Sequence, residues 1–341
     1  MPTLRRETPW NFRVSVLTNA GSEMVYCLKG LRGIAPMSST QLVSFMRHSA
    51  WPSLFAGPGA IARLCVVAMF ALLAGCEGEV TMDLQTEVPA DPDINGVVAN
   101  IRGLEFTTSG GTETLEFTDS QQLDFMDYDD DDNALRLFTS EELPEGNYTG
   151  VRLLFDEDEL DNAFVTNTAG TEFPMNVVDG DYASLRFNVE DNESNSDSFT
   201  LLLDLRQSLS FDDDTDEYTF TPVMRAVDTT EASRIDGDVS VTCPAGDSLS
   251  QGAVYLYSGR DVTPDDLDGA GVEPFATAPV FTSQDGNSFF YSLRFLPEGD
   301  YTLALTCIGN DDDPVTDEDL EFRNIINVEL NSNESITLDL P

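Results

Sequence analysis

Phe199-Thr200-Leu201-Leu202-Leu203-Asp204-Leu205 is the stretch of this chain that decides the fold. Its large apolar side chains recur at every second position, which is the period of a β-strand and not that of a helix. Because successive side chains of a strand point to opposite faces, one face of this segment is expected to pack in a core. The segment therefore predicts a buried β-strand.

The same period of two continues through most of the chain downstream of Cys76. In one later segment, four aromatic and aliphatic side chains are expected to share a buried face: Phe289, Tyr291, Leu293 and Phe295. The linking segments are rich in Asp, Asn, Gly and Pro, as turns require, and Asp317–Phe322 is the one place where a short helix is expected. This pattern predicts an all-β protein built from antiparallel β-sandwiches.

A turn motif occurs twice, as LPEGNYT at residues 143–149 and as LPEGDYT at residues 296–302. Proline fixes φ and glycine accepts positive φ, so each copy predicts a tight turn that leads into a strand with its tyrosine packed inward. The strand pattern breaks near Thr229–Arg234 and then begins again. We therefore predict two β-sandwich domains, at residues 80–230 and 234–341.

The sequence Leu72-Leu73-Ala74-Gly75-Cys76 ends an uncharged run of twelve residues, Leu64–Gly75. A membrane-spanning helix needs about 20 apolar residues, so this run suits the core of a signal peptide instead. The small residues before Cys76 are typical of a lipoprotein cleavage site. Cleavage there would make the Cys76 thiol the point of lipid attachment.

Residues 1–75 are therefore expected to be a leader, whose true start is Met46 or, as second choice, Met37. Residues 76–79 would form a lipidated tether, and acyl chains would hold the mature protein on a membrane. Glu77 favours the outer membrane of a Gram-negative bacterium, on its periplasmic or its surface face. The expected location is the cell envelope.

The composition excludes several classes of function. The chain has 17 Lys and Arg against 62 Asp and Glu, and the part after Gly75 has ten Arg, no Lys and 60 acidic residues. The single His, His48, lies in the leader, as do both Trp. The mature part therefore lacks Ser-His and Cys-His pairs and imidazole metal ligands. Phosphate binding depends on cationic side chains, so no nucleic-acid partner is expected.

The acidity itself has two interpretations. A dense coat of carboxylates stays hydrated in high salt, which also screens its self-repulsion. Calcium is the alternative, because Asp-rich loops supply the oxygen ligands that it prefers. Two triplets have the spacing that begins an EF-hand loop: Asp127, Asp129 and Asp131, and Asp212, Asp214 and Asp216. Neither has the required Gly or the bidentate Glu, so no EF-hand is predicted and the halophilic coat is favoured.

Catalysis is not expected either. Two carboxylates can suffice for a glycosidase, but among 60 acidic residues any such pair is unspecific. Arg152, Arg186, Arg225 and Arg294 lie within strand patterns. They are expected to pair with neighbouring carboxylates, with anion binding as the alternative.

Cys243 and Cys307 are expected to point into the core of the second domain. Cys243 has the parity of Ile235 and Val239, and Cys307 has that of Leu303 and Leu305. In an oxidising compartment this predicts a disulfide, which would stabilise the domain by about 4 kcal/mol in the chain-entropy model.

Two passages, LPEGNYTGVRLLF at residues 143–155 and LLLDLRQSLSFDDDTDEYTFTPVMRAVD at residues 201–228, resemble the lipoprotein family of domain of unknown function 4382. The resemblance covers about residues 80–228 and implies a β-rich lipoprotein module without supplying catalytic residues. IDGDV at residues 235–239 and the second turn motif look like a carboxypeptidase-regulatory or prealbumin-like sandwich. Such sandwiches imply a spacer or an adhesion module.

The sequence thus favours a lipid-anchored envelope protein that acts as a non-catalytic binding or scaffold module for an unknown protein or glycan partner. The alternative is a calcium-dependent surface adhesin or glycan-binding protein.

Overall fold

A computed structural model describes residues 13–18, 24–29, 37–38, 80–129, 133–139, 143–156, 159–189 and 197–341. The chain divides into two compact units, residues 1–79 with 190–195, and residues 80–189 with 196–341. In the first unit, a three-stranded antiparallel sheet comprises β1 (Arg13–Thr18), β2 (Met24–Lys29) and β3 (Met37–Ser38). The cleavage motif ending at Cys76 lies outside the described residues. Within the described residues, no helix has the length and apolar character to cross a membrane.

The second unit is built almost entirely from strands, which confirms the predicted all-β class. Its first twelve strands are β4 (Val80–Glu87), β5 (Ile94–Thr108), β6 (Gly111–Asp124), β7 (Leu135–Thr139), β8 (Gly146–Phe155), β9 (Phe164–Asn167), β10 (Glu172–Val177), β11 (Ala183–Val189), β12 (Asp197–Asp204), β13 (Leu209–Asp212), β14 (Glu217–Phe220) and β15 (Met224–Asp228). They form one sheet in the order β11-β8-β5-β9-β10-β14-β13, with β6 also paired to β5, and a second in the order β15-β12-β4-β7. We call this pair of sheets the first sandwich.

Eight further strands form the second sandwich. They are β16 (Ser233–Val239), β17 (Ala253–Ser258), β18 (Ala276–Pro279), β19 (Phe281–Thr282), β20 (Phe289–Leu296), β21 (Gly299–Thr306), β22 (Phe322–Leu330) and β23 (Ser335–Thr337). One sheet has the order β19-β20-β16-β23 and the other has the order β18-β17-β21-β22. No strand of the first sandwich pairs with a strand of the second among the described residues.

The sequence predicts antiparallel sheets, but some sheets of the structure are mixed. Three strand pairs are parallel: β4 with β12, β10 with β14, and β16 with β23. Long connections separate the members of each pair in sequence, and such connections allow a strand to return in the same direction.

Each sandwich encloses an apolar core. In the first, Met82 and Leu201 from the smaller sheet pack in one cluster with Phe106 and Val151 from the larger. In the second, Ile235 and other apolar residues of one sheet pack against apolar residues of the facing sheet in a single buried cluster. The alternation that begins at Phe199 therefore places its apolar face where the sequence predicts.

Both copies of the turn motif form the same local structure. The Tyr148 hydroxyl donates to the Pro144 carbonyl at 2.7 Å, and the Tyr301 hydroxyl donates to the Pro297 carbonyl at 2.8 Å. Both tyrosines are buried, as predicted. The bond satisfies the polar end of a ring whose body lies in the core.

Two expectations about local structure are wrong. Residues 317–321 are irregular, and the described helical segments are single turns elsewhere, such as Leu205–Ser208. Phe295 leaves the core face of β20 because the strand has a bulge there, described below. The predicted disulfide between Cys243 and Cys307 is present, although β16 ends at Val239, so Cys243 lies in a loop and is half-buried.

Candidate functional site

The most unusual part of the second unit is the place where the two sandwiches meet. On the smaller sheet of the first sandwich, Gln85, Thr86 and Glu87 at the end of β4 are all buried, and so is Asp204 at the end of β12. Polar side chains on the outer face of a sheet normally contact water. Thr86 faces the core, where its hydroxyl donates to the Phe125 carbonyl at 2.8 Å. Gln85 and Glu87, by contrast, lie on the outer face and are covered because Arg294 of β20 in the second sandwich reaches across to them. The meeting place is therefore a packed interface.

A network of four charged side chains crosses this interface. Arg294 Nη2 lies 3.5 Å from Glu87 Oε2, and Arg225 Nη2 lies 3.6 Å from Glu87 Oε1. Arg225 Nη1 lies 4.0 Å from Asp204 Oδ2. Arg294 Nη2 also donates to the Thr86 carbonyl at 3.0 Å. Two guanidinium groups thus face two carboxylates, and the formal charges of the network balance.

Burial changes the acidity of this network. It raises the pKa of Glu87 to about 7, against the opposing effect of the Arg294 and Arg225 charges. It raises the pKa of Asp204 and lowers the pKa of Arg225 for the same reason, since burial disfavours the charged form of each group. Removal from water therefore outweighs the attraction between the partners at Glu87.

A β-bulge brings Arg294 into this network. Ile235 pairs with Leu293 and Ser233 pairs with Leu296, so two residues of β20, Arg294 and Phe295, lie opposite one residue of β16. Phe295 has a φ of +50°, which is rare for a bulky side chain and costs conformational energy. Leu293 and Leu296 both point into the core. The bulge thus turns two consecutive side chains towards the outer face of the sheet.

The backbone of the bulge is held by the first sandwich. Arg225 Nη2 donates to the Arg294 carbonyl at 2.9 Å, and Arg225 Nε donates to the Phe295 carbonyl at 3.4 Å. Arg225 belongs to β15, so a side chain of one sandwich fixes an irregular backbone segment of the other. Such a contact specifies one arrangement of the two sandwiches.

A second contact between the sandwiches lies on the helical turn Leu205–Ser208. Arg206 is fully buried, and its Nη1 donates to the carbonyl of Gly309. Gly309 follows the disulfide-bonded Cys307 by two residues. Nearby, the Phe211 amide donates to Asp313 Oδ2 at 3.4 Å. Hydrogen bonds therefore connect the two sandwiches at two separate places along the chain.

A cleft of about 460 Å³ opens beside the charge network. Its walls come from both sandwiches, with Asp83, Gln85 and Thr200 on one side and Arg234, Arg294 and Phe295 on the other. A volume of this size is within the range of small-molecule sites. The cleft combines one aromatic ring with a set of hydrogen-bonding side chains.

A group of carboxylates lies elsewhere, on the outer face of the second sandwich. Ligand atoms of Asp266, Asp312 and Glu318 lie within 4.8 Å of one another, as do those of Asp266, Asp268 and Asp317. Burial raises the pKa of Asp312 to about 6.

The oxygens of these carboxylates already accept hydrogen bonds from the chain. Asp312 accepts from the Tyr255 hydroxyl and from the Leu267 amide, and Asp266 Oδ2 accepts from the Glu318 amide at 2.5 Å. The buried Arg206 guanidinium lowers the pKa of Asp312 in opposition to its burial. These bonds fasten the acidic loops over Tyr255 and Tyr257.

The carboxylates singled out from the sequence lie in other places. Asp212, Asp214 and Asp216 are exposed in the tight hairpin between β13 and β14, where the Asp214 amide donates to Asp212 Oδ1 at 2.9 Å. Asp127 lies in a single helical turn, with Asp129 directly after it. Asp131 lies outside the described residues, as does Cys76.

Among the described residues, carboxylates pair with Arg152, Arg225 and Arg294. Arg225 and Arg294 both face Glu87, and Arg152 Nε donates to Glu105 Oε1 at 2.9 Å. Arg186 is exposed. The sequence analysis did not identify Glu87 as the partner that Arg225 and Arg294 share. The polar end of β4, Gln85-Thr86-Glu87, breaks the apolar alternation and could have indicated such a buried polar contact.

Residues 77–222 match the family model described as Domain of unknown function (DUF4382). This match confirms the resemblance found in the sequence of the first sandwich. No curated protein matches the chain.

Several solved structures are similar at low identity. The Bacillus anthracis TIE protein is 11% identical over 77% of this chain and 34% of its own, with a TM-score of 0.19. The Streptococcal ancillary pilin is 13% identical over 77% and 68%, with a TM-score of 0.21. GBS52, the minor pilin of Streptococcus agalactiae, is 12% identical over 77% and 94%, with a TM-score of 0.18. The chain spans about a third of the length of the TIE protein.

Proposed function

We propose that this protein is a lipid-anchored module of the cell envelope that binds or scaffolds a partner without catalysis, through two β-sandwiches joined as one body. The observation that carries this proposal is the buried network of Glu87, Arg225, Arg294 and Asp204. Removing one member of such a network leaves a charge buried without its partner, which is strongly unfavourable. The interface therefore resists opening and presents both sandwiches in a constant relation.

A constant relation between two sandwiches suits a spacer or scaffold. Interfaces between domains in one chain commonly allow relative motion unless they are large and well packed. Here Arg206, Arg225 and Arg294 all cross the interface; Arg206 and Arg294 are buried, and the Arg225 side chain is 10% exposed. A partner bound to one sandwich would be held at a set distance from the tether.

The anchor is proposed from the sequence. The motif ending at Cys76 would place the lipid four residues before the first residue of β4. The outer membrane is the proposed location, and the excess of carboxylates over arginines is proposed to be a coat adapted to high salt.

Lipid attachment is tested by expressing the full chain in a Gram-negative host with labelled palmitate. We expect label on the wild-type chain and none on Cys76→Ala, with processing blocked by globomycin. Cys65→Ala is the matched control, because it also removes a thiol from the apolar run and should remain labelled. Label retained on Cys76→Ala would refute the anchor.

The calcium-dependent adhesin remains the second candidate because of the carboxylate groups around Asp266. It is tested by thermal melting of residues 77–341 in high sodium chloride, with millimolar calcium or magnesium added. A rise in melting temperature with calcium alone would favour the adhesin. A response to total ionic strength alone would favour the acidic coat.

A further inference from the structure

Aromatic and polar side chains follow one another along the outer face of the sheet β19-β20-β16-β23. Because Tyr291 and Leu293 point into the core, the alternate residues Phe290 and Ser292 point outward. The bulge then adds Phe295 to the same face. Phe295 follows Phe290 by five positions, which corresponds to roughly 16 Å along an extended strand.

The far end of this face carries an exposed pair of rings. Phe281 and Phe290 are cross-strand partners, their ring centroids lie 5.6 Å apart, and each is 39% exposed. The near end is the cleft, where the half-buried Phe295 ring forms part of the wall. Between them lie hydrogen-bonding groups, including Arg234, whose Nη2 donates to Asp236 Oδ1 at 2.9 Å and to Ser292 Oγ at 3.0 Å.

The charged side chains of the cleft are already engaged within the chain. Arg294 faces Glu87, Arg234 Nε lies 2.8 Å from Asp236 Oδ2, and Asp83 accepts from Arg136. Glu334 accepts from the backbone and side-chain amides of Asn331 at 2.8 and 3.0 Å. A charged ligand would find no uncompensated opposite charge here, and the acidic coat of the mature chain would repel an anion.

We infer that this face binds a neutral oligosaccharide, which extends from the Phe281–Phe290 pair into the cleft beside Phe295. A sugar ring has an apolar C–H face that can lie on an aromatic ring, and a rim of hydroxyls that both donate and accept hydrogen bonds. The rings at the two ends and the polar groups between them provide for both. The strained φ of Phe295 supports this assignment, because strained backbone is concentrated at ligand-binding sites.

This inference rests on the proposed binding function and names its ligand class. The test uses the full-length lipidated chain in detergent on an array of neutral hexasaccharides: a β-1,4-glucan, a β-1,3-glucan and an N-acetylglucosamine oligomer. A galacturonate oligomer of the same length is the charged probe. We expect binding to at least one neutral hexasaccharide and no binding to the galacturonate oligomer.

Two variants locate the site. Phe290→Ala removes a ring of the exposed pair, and Phe295→Gly removes the ring in the cleft while suiting the positive φ at that position. Each should weaken binding about tenfold, the effect of losing one aromatic contact. Val315→Ala is the control, since Val315 is 66% exposed on a loop outside this face, and it should bind like the wild type. An unchanged melting temperature for Phe295→Gly would show that the fold is intact.

Three outcomes would overturn the inference: binding of the charged probe alone, binding of a neutral sugar that both variants retain, or no binding of any neutral hexasaccharide by the wild type. None of these outcomes bears on the proposal of a lipid anchor, which palmitate labelling tests separately. A wild-type chain that takes up no palmitate label but still binds sugar would instead refute the anchored module and leave the sugar site standing.

Discussion

Two carboxylates of the first sandwich, Glu87 and Glu105, both pair with arginine, yet their pKa values shift in opposite directions. Glu105 is half-buried near the surface, where hydrogen bonds from Tyr182 and Arg152 lower its pKa. Glu87 lies in the interface with two arginines, and burial nevertheless raises its pKa to about 7. The surroundings of the carboxylate, more than the identity of its partners, therefore determine the direction in which its pKa shifts.

The two ion pairs therefore differ in their effect on stability and on the arrangement of the sandwiches. A pair that water still reaches, such as Arg152 with Glu105, contributes little to stability because solvent screens both charges. A buried pair gains little over apolar residues of the same shape, but it strongly disfavours any arrangement that separates its members. The Glu87 network thus specifies how the sandwiches meet.

The sharpest test of this comparison removes one arginine from each pair. Arg294→Ala leaves Glu87 buried with less opposing charge and should lower the free energy of unfolding by about 3–5 kcal/mol. Arg152→Ala should lower it by no more than about 1 kcal/mol. Urea unfolding of both variants measures the difference. Equal losses would show that the interface pair is no different from the surface pair.

The second test uses pH. The pKa of Glu87 is about 7 in the folded protein against 4.5 as its ordinary value, so between these values the folded state binds more protons than the unfolded state. Stability from this group is then fully present below about pH 4.5 and is lost as pH rises through 7. A shift of this size corresponds to about 3 kcal/mol at most.

Glu87→Gln should remove this part of the pH dependence, and Glu105→Gln is the matched control that should retain it. Urea unfolding between pH 4.5 and 8 measures the slope for each. A Glu87→Gln slope equal to that of the wild type would place the titration on another group, such as Asp312, whose pKa burial raises to about 6.

The smallest expected effect concerns salt. Double-mutant cycles give the coupling of Arg152 with Glu105 and of Arg294 with Glu87, each at low and at 1 M sodium chloride. The surface coupling should fall by a few tenths of a kcal/mol, because ions screen exposed charges, while the buried coupling should hold. A buried coupling that salt weakens equally would mean that water reaches Glu87.

Much of the fold was predictable because strand alternation is a local signal. The run from Phe199 gave a correct strand, and both turn motifs gave buried tyrosines. What lies on the second face of that strand was not predictable. Asp204 alternates as a solvent-facing residue would, yet it is buried, where it faces Arg225 and accepts from the Gln207 amide at 3.2 Å.

The candidate site was predictable only in part. The arginine pairs could be expected because arginines within strands need partners, whereas the shared role of Glu87 depends on strands far apart in sequence. Phe295 was misplaced because nothing in the alternation marks a bulge, and one extra residue reverses the face of every residue after it. The disulfide was predicted correctly, although Cys243 lies outside the strand in which the sequence analysis had placed it.

The position of β4 within its sheet has a mechanical consequence. β4 is the first strand after residue 79, and it lies between β12 and β7 in the interior of the sheet. It pairs with β12 in parallel over eight residues, from Val80 with Asp197 to Glu87 with Asp204. A pull on the chain before Val80, directed along the strand, loads these hydrogen bonds together in shear and does not peel them apart one by one. Tension from that end would be shared along the whole strand.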